Sequence, residues 1–253
     1  LSAESLVRKH LENDPQPEYR MAYARVLSQA QQYPQALQQL QIVTSSQPQA
    51  GAAWLLQGTL QIQAGSLKEA EASLRTFMSL EPPVQPGEAQ SRSTVQALMQ
   101  LSRLAEKRQD YAEAQSWLDK VDSPQDTTEK TLRRASLLAA QGQLSQARTL
   151  LRELPSDSAE DKRAALMAEV QLLRDAQQLQ AAYDLVGTAV AQSPQDGDLL
   201  YEQAMLADKL GKTSDMERLL KSLIASHPDY HHAYNALGYS YADRGVQLEE
   251  ARR

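Results

Sequence analysis

Residues 51–82 read GAAWLLQGTLQIQAGSLKEAEASLRTFMSLEP. Two apolar stripes at helical spacing run through this stretch. Trp54, Leu55, Gly58 and Ile62 mark the first, and Ala70, Leu74, Phe77 and Met78 the second. Ala64-Gly65-Ser66 separates them, with a glycine placed to end the first helix, and Pro82 stops the second. The stretch therefore predicts helix, short turn, helix, proline.

Outward from it, the same small-then-apolar pair returns. Ala36 precedes Leu40, Ala70 precedes Leu74, Ala114 precedes Leu118, Ala147 precedes Leu151, Ala182 precedes Val186 and Met216 precedes Leu220, and Ala251 stands where the next member falls. The steps are 34, 44, 33, 35, 34 and 35 residues. The prolines keep the same rhythm, with 34 residues from Pro48 to Pro82 and 34 from Pro194 to Pro228. The long step coincides with Pro83-Val84-Gln85-Pro86-Gly87, which no helix tolerates. We expect this insert to act as a spacer, or as a place where the array bends or a partner docks. A fixed period of this length decides the fold ahead of any single residue. One helix pair cannot bury its apolar face alone, so neighbours must stack.

The layout W-x2-L-G-x2-Y, A-x3-F, P is the signature of the tetratricopeptide repeat. Trp54, Gly58, Ala70, Leu74 and Pro82 supply it in one unit, and Tyr234, Leu237, Gly238 and Tyr241 in the last. The chain thus resembles that family, which implies an all-α, right-handed α-solenoid of helix-turn-helix repeats. The units expected are 17–50, 51–84, 88–126, 127–160, 161–196 and 197–230. A half repeat (1–16) lies before them, and a truncated repeat (231–253) after, in one array over 1–253. Half units at both ends are expected to leave Leu6, Leu11, Leu237 and Tyr241 partly uncovered.

Composition agrees and narrows the function. The 253 residues carry 26 basic and 32 acidic side chains, a net charge of −6, with 10 Gly, one Phe and no Cys. By length alone one or two domains are expected. The absence of Cys removes disulfide frameworks, thiolate metal sites and Cys nucleophiles. The acidic balance argues against nucleic-acid binding, and sparse Gly and aromatics argue against strand-rich and dinucleotide-binding folds. No apolar run approaches the length that spans a membrane.

Catalytic motifs are thin. Gly211-Lys212-Thr213 resembles the end of a P-loop, but Leu206 stands where its first Gly is needed; Gly211 is expected to be an inter-helix turn. His227, Asp229 and His231 lie close in sequence, and a loop between units accounts for them more simply than a metal does. Glu249-Glu250 reads as a solvated helix face. No enzyme activity, metal or cofactor is expected.

In the family resembled, the concave face is lined by the second, fifth, ninth and twelfth positions of the 34-residue frame. Carried over, the fifth position holds Met21, Leu55, Met99, Leu132, Met167, Tyr201 and Asn235, and the ninth holds Arg25, Thr59, Arg103, Ser136, Gln171, Met205 and Tyr239. Methionine suits adaptable binding surfaces, and Arg25 and Arg103 suit carboxylates of a bound segment. Met21 with Arg25, and Leu55 with Thr59, depart from the Lys and Asn of carboxylate-clamp members. The resemblance implies a protein or peptide partner in this groove and no nucleic acid.

The stretch Asn235 to Ala251 resembles the closing region of long tetratricopeptide lipoproteins of Gram-negative bacteria. An extra residue in the turn at Arg244-Gly245-Val246-Gln247 matches the last 35-residue step. That likeness implies a periplasmic adaptor, tethered to the outer membrane outside this stretch, that recruits a protease or an assembly machine. The alternatives are a cytoplasmic location, a structural module of an export or polysaccharide-secretion system, and a domain sensing a small ligand or glycan.

Overall fold

A computed structural model describes residues 16–82, 89–123, 127–155 and 158–244. The expected half repeat before residue 16, the insert at 83–87, the turn at 245–247, Glu249-Glu250 and Ala251 lie outside them. Among the described residues there are thirteen helices and no strand. They are α1 (Pro17–Gln29), α2 (Tyr33–Ser46), α3 (Gly51–Gln63), α4 (Leu67–Leu80), α5 (Arg92–Lys107), α6 (Tyr111–Asp119), α7 (Thr127–Ala140), α8 (Leu144–Arg152), α9 (Ala159–Asp175), α10 (Leu179–Gln192), α11 (Gly197–Lys209), α12 (Thr213–Ser226) and α13 (His231–Arg244). By packing the chain divides into two units, 1–137 and 138–253, with the division inside α7.

Odd-numbered helices open each pair and even-numbered ones close it. The periodic pairs found in the sequence are the seam between them: Ala36, Ala70, Ala114, Ala147 and Ala182 are fully buried and Met216 nearly so, as are Leu40, Leu74, Leu118, Leu151, Val186 and Leu220. Within each unit, the residues opposite them on the opening helices are Ala24, Gly58, Ser102, Val170 and Ala204, mostly small. At Gly58 the approach is closest. A Cβ there would sit 2.8 Å from Leu74 Cγ and 3.2 Å from the Ala70 carbonyl oxygen.

Every pair turns in the same way. Gln31, Gly65, Gln109, Gly142, Gln177 and Gly211 all have positive φ, between 58° and 79°. The next residue's N–H reaches back five positions, as in Gln32 to Leu27, Ser66 to Gln61, Gln143 to Leu138 and Lys212 to Ala207, at 2.8–2.9 Å. This bond satisfies a carbonyl the helix end would orphan. Where a loop enters an opening helix, Ser91, Ser158 and Asp196 cap it by accepting from Thr94, Asp161 and Leu199 N–H groups, as expected of such residues.

In unit 1, α1 packs on α2, α2 on α3, α3 on α4, α4 on α5 and α5 on α6. Its seam carries a neutral polar network. Gln57 Nε2 donates to Ser73 Oγ (3.2 Å), Ser73 donates to Gln61 Oε1 (2.8 Å), and Thr44 donates to Gln57 Oε1 (3.3 Å). Both tryptophans sit in this unit. Trp54 Nε1 donates to the Pro48 carbonyl at 2.9 Å. Trp117 donates to Glu113 and meets the Arg75 guanidinium and the Lys120 ammonium, 5.2 and 4.0 Å from the ring centroid. Glu71, Arg75, Arg108 and Glu113 form an ion-pair cluster beside it.

In unit 2, α8 packs on α9, α9 on α10, α10 on α11, α11 on α12 and α12 on α13. Its buried polar groups are the neutral Gln203 and the charged Glu169. Glu169, 3% exposed, accepts from Arg148 Nε at 2.8 Å and from Arg152 Nη2 at 2.6 Å and Nε at 3.1 Å.

Candidate functional site

Each opening helix turns one face into its pair and leaves the fifth and ninth positions towards solvent, with one exception. Met21 and Leu55 are half-buried against their units' apolar clusters, and Arg25 is exposed. The Thr59 hydroxyl donates to the Leu55 carbonyl (2.9 Å) and accepts from the amides of Gln100 (3.3 Å) and Gln96 (3.4 Å), tying α3 to α5. Met167 is half-buried, and exposed Gln171 donates to Asp175 at 2.7 Å. Tyr201 and Met205 are half-buried, Asn235 is exposed, and Tyr239 is 79% exposed.

Met99 is the exception, at 4% exposed. Helix α5 buries Val95, Ala97, Leu98, Met99, Leu101, Ser102, Leu104 and Ala105, an arc wide enough to take in the fifth position. Met99 is thus a floor residue. A charge placed there would be desolvated within the core, so such a variant reports on folding and not on binding.

Two cavities open on these faces. In unit 1 one of about 460 Å³ is lined by Arg92, Val95, Gln96, Met99, Gln100, Arg103 and Glu129. Its rim is cationic and amide-rich. Arg103 pairs with Glu129 at 3.1 Å, both half-exposed, a pairing that water weakens. In unit 2 one of about 380 Å³ is lined by Met205, Asp208, Met216, Ala236, Tyr239 and Ser240. The positions expected from sequence therefore meet in twos, Met99 with Arg103 and Met205 with Tyr239. Arg92, Gln96, Gln100, Glu129 and Asp208 were not named by the fifth and ninth positions. Gln96 falls at the second position and Asp208 at the twelfth, so the same frame carried to those positions finds them.

Farther along the unit 2 face, the rings of Tyr201, Tyr230 and His232 lie with centroids 5.6–6.2 Å apart. Tyr230 donates to Asp198 at 3.1 Å. Burial, then the bond to that carboxylate, pushes its phenol above the ordinary range. Asp196 caps α11 and is gripped by Arg163, which holds its carboxyl below the usual value.

The catalytic candidates resolve structurally. Gly211 is the left-handed turn residue between α11 and α12. His227 Nδ1 meets Ser226 Oγ at 3.0 Å, and its ring lies against Gly197. Among the described residues no group of three or more His, Asp or Glu is placed to hold a metal ion. No helix among them is long and apolar enough to cross a membrane.

Comparison with known proteins bears on the family. The family model described as tetratricopeptide repeat matches residues 21–77 and 201–252. A TPR repeat-containing protein of Pseudomonas aeruginosa is 33% identical over 152 residues, which is 60% of this chain and 26% of that protein. The match thus spans about a quarter of the relative's length. Among solved structures, a tetratricopeptide repeat protein from Parabacteroides merdae superposes with a TM-score of 0.59 at 15% identity, covering 93% of this chain and 89% of that one. PilW, a widely conserved type IV pilus biogenesis factor, gives 0.56 at 19% identity, covering 87% and 98%. At such identities the likeness is one of fold. Repeat spacing, the common turn and these matches converge: the chain carries tetratricopeptide repeats, matched over 21–77 and 201–252.

Proposed function

We propose that this chain is a non-catalytic scaffold of the bacterial envelope that holds partner proteins on the solvent-facing side of its opening helices. The observation that carries the reading is the pair of cavities in units 1 and 2, each opening on residues at these frame positions. Both have an apolar floor (Val95 and Met99, Met205 and Met216) and a rim of groups able to bond a peptide. Such a face gives affinity through buried apolar area and specificity through its rim. The tetratricopeptide fold supports protein binding in general, and the envelope setting rests on the resemblance of the stretch Asn235 to Ala251 to tetratricopeptide lipoproteins of Gram-negative bacteria. Placement in the periplasm, with a tether elsewhere in the protein, follows from the same reading. Arg25 and Arg103 serve acidic groups of the partner in unit 1.

The test uses exposed positions. Arg25→Glu with Arg103→Glu in unit 1, and Tyr239→Ala in unit 2, are compared with the wild-type chain in affinity capture from the native envelope. Helicity by circular dichroism should be unchanged in all. A captured protein whose yield falls about tenfold in either variant supports the reading, as expected when an interface Arg or Tyr is lost. Identical captured sets from all three chains would overturn it.

A further inference from the structure

We propose that the unit 2 cavity is a receptor for a lysine or arginine side chain on the partner segment. The inference rests on the scaffold reading above and names the chemistry one of its faces selects. A cationic side chain has two parts, an apolar stem and a charged head, and it buries the first while keeping the second polar. The cavity offers both in the right kind. Met205, Met216 and Ala236 give an aliphatic wall, with Met216 fully buried as the floor. Asp208 gives a carboxylate and Tyr239 a ring whose face is open to solvent. A cation over an aromatic face and beside a carboxylate is doubly favoured.

Charge complementarity separates this occupant from a purely apolar one. Among the described residues Asp208 has no ion-pair or side-chain hydrogen-bond partner, although it lines the cavity. Cations nearby in sequence are engaged elsewhere. Lys212 bonds Gln180 at 2.7 Å and lies 4.4 Å from the Tyr183 ring centroid. Lys221 reaches Glu217 and the Tyr241 ring. Lys209 follows Asp208 directly in α11, and consecutive helical residues do not share a face. Among the described residues no cationic side chain lines the cavity. The unit 1 cavity, with Arg92 and Arg103 on its rim, has the opposite sign.

The test titrates the whole chain with three short, end-capped peptides identical except for one central residue: lysine, norleucine or glutamate. Norleucine keeps the stem and removes the charge. Binding is read from fluorescence anisotropy of a labelled peptide. The lysine peptide should bind about tenfold tighter than the norleucine peptide, the size expected of one ion pair with one cation–π contact. Asp208→Asn should bring the two together, and Tyr239→Leu should narrow the gap severalfold. Equal binding of lysine and norleucine peptides would overturn the cation receptor while leaving the groove in place. So would a lysine preference that survives Asp208→Asn. Absence of binding by all three overturns the receptor too, and only if the capture experiment is also negative does the scaffold reading fall with it.

Discussion

Units 1 and 2 apply one repeat plan with different chemistry at the same places. At the seventh frame position unit 1 buries the neutral Gln57 among hydroxyls and an amide, whereas unit 2 buries the neutral Gln203 in one repeat and, in the repeat before it, the carboxylate of Glu169 between two arginines. On the open side the contrast recurs. Unit 1 presents arginines and amides around its cavity, and unit 2 presents a tyrosine, two methionines and an aspartate. The repeat plan fixes where a side chain points, and leaves its polarity free wherever a local partner can satisfy it.

The sharpest way to break the comparison is to strip the charged seam. Arg148→Met with Arg152→Met leaves Glu169 buried without a counter-ion. We expect a loss of about 3 kcal/mol or more in urea unfolding, with hydrogen exchange accelerated in α8 and α9 first. Gln57→Leu, the neutral counterpart, should cost only about 1 kcal/mol, since it orphans hydroxyls and not a charge. Equal losses would mean the two seams are energetically alike.

A smaller effect of mixed sign is expected at the eighth position. Gly58→Ala forces a Cβ to 2.8 Å from Leu74 Cγ, so that side chain must shift, at about 1–3 kcal/mol. Ser102→Ala at the equivalent place should stabilise by about 1 kcal/mol, because its hydroxyl is buried without a hydrogen-bond partner. Thermal unfolding of the two variants reads both signs.

The smallest effect concerns the turns, where Gln and Gly alternate along the chain in one conformation. Gly65 has nothing within 4 Å of a built Cβ, so Gly65→Ala should cost only the left-handed backbone penalty, about 1 kcal/mol. Gln31→Gly should return up to about that amount, offset by the freedom glycine adds to the unfolded chain. If both substitutions destabilise, the Gln31 side chain contributes something the backbone does not explain.

Most of the fold was legible because its seam is periodic. Ala36 through Met216 are buried as a set, and one stretch such as 51–82 suffices to phase the rest. The turn at Gly65 could be read from its residue. Those at Gln31, Gln109 and Gln177 could be located only by period, since glutamine carries no left-handed signal. The binding faces were less legible. Frame position says which way a residue points from an average helix, but α5 buries more of its circumference than the other opening helices, so Met99 ended in the core. Asp208 went unnamed because a single acid on a helix looks like ordinary surface until Tyr239, from the next opening helix, is set beside it.

The placement of the two tryptophans has an optical consequence. Trp54 and Trp117 are the chain's only indoles, and both belong to unit 1, Trp117 in contact with two cations and a carboxylate. Emission excited at the red edge of the absorption band therefore reports on unit 1 alone. Far-ultraviolet ellipticity counts helices in both. A melt followed by both signals separates the halves without any label, and the interval between the two midpoints measures how strongly one half senses the loss of the other.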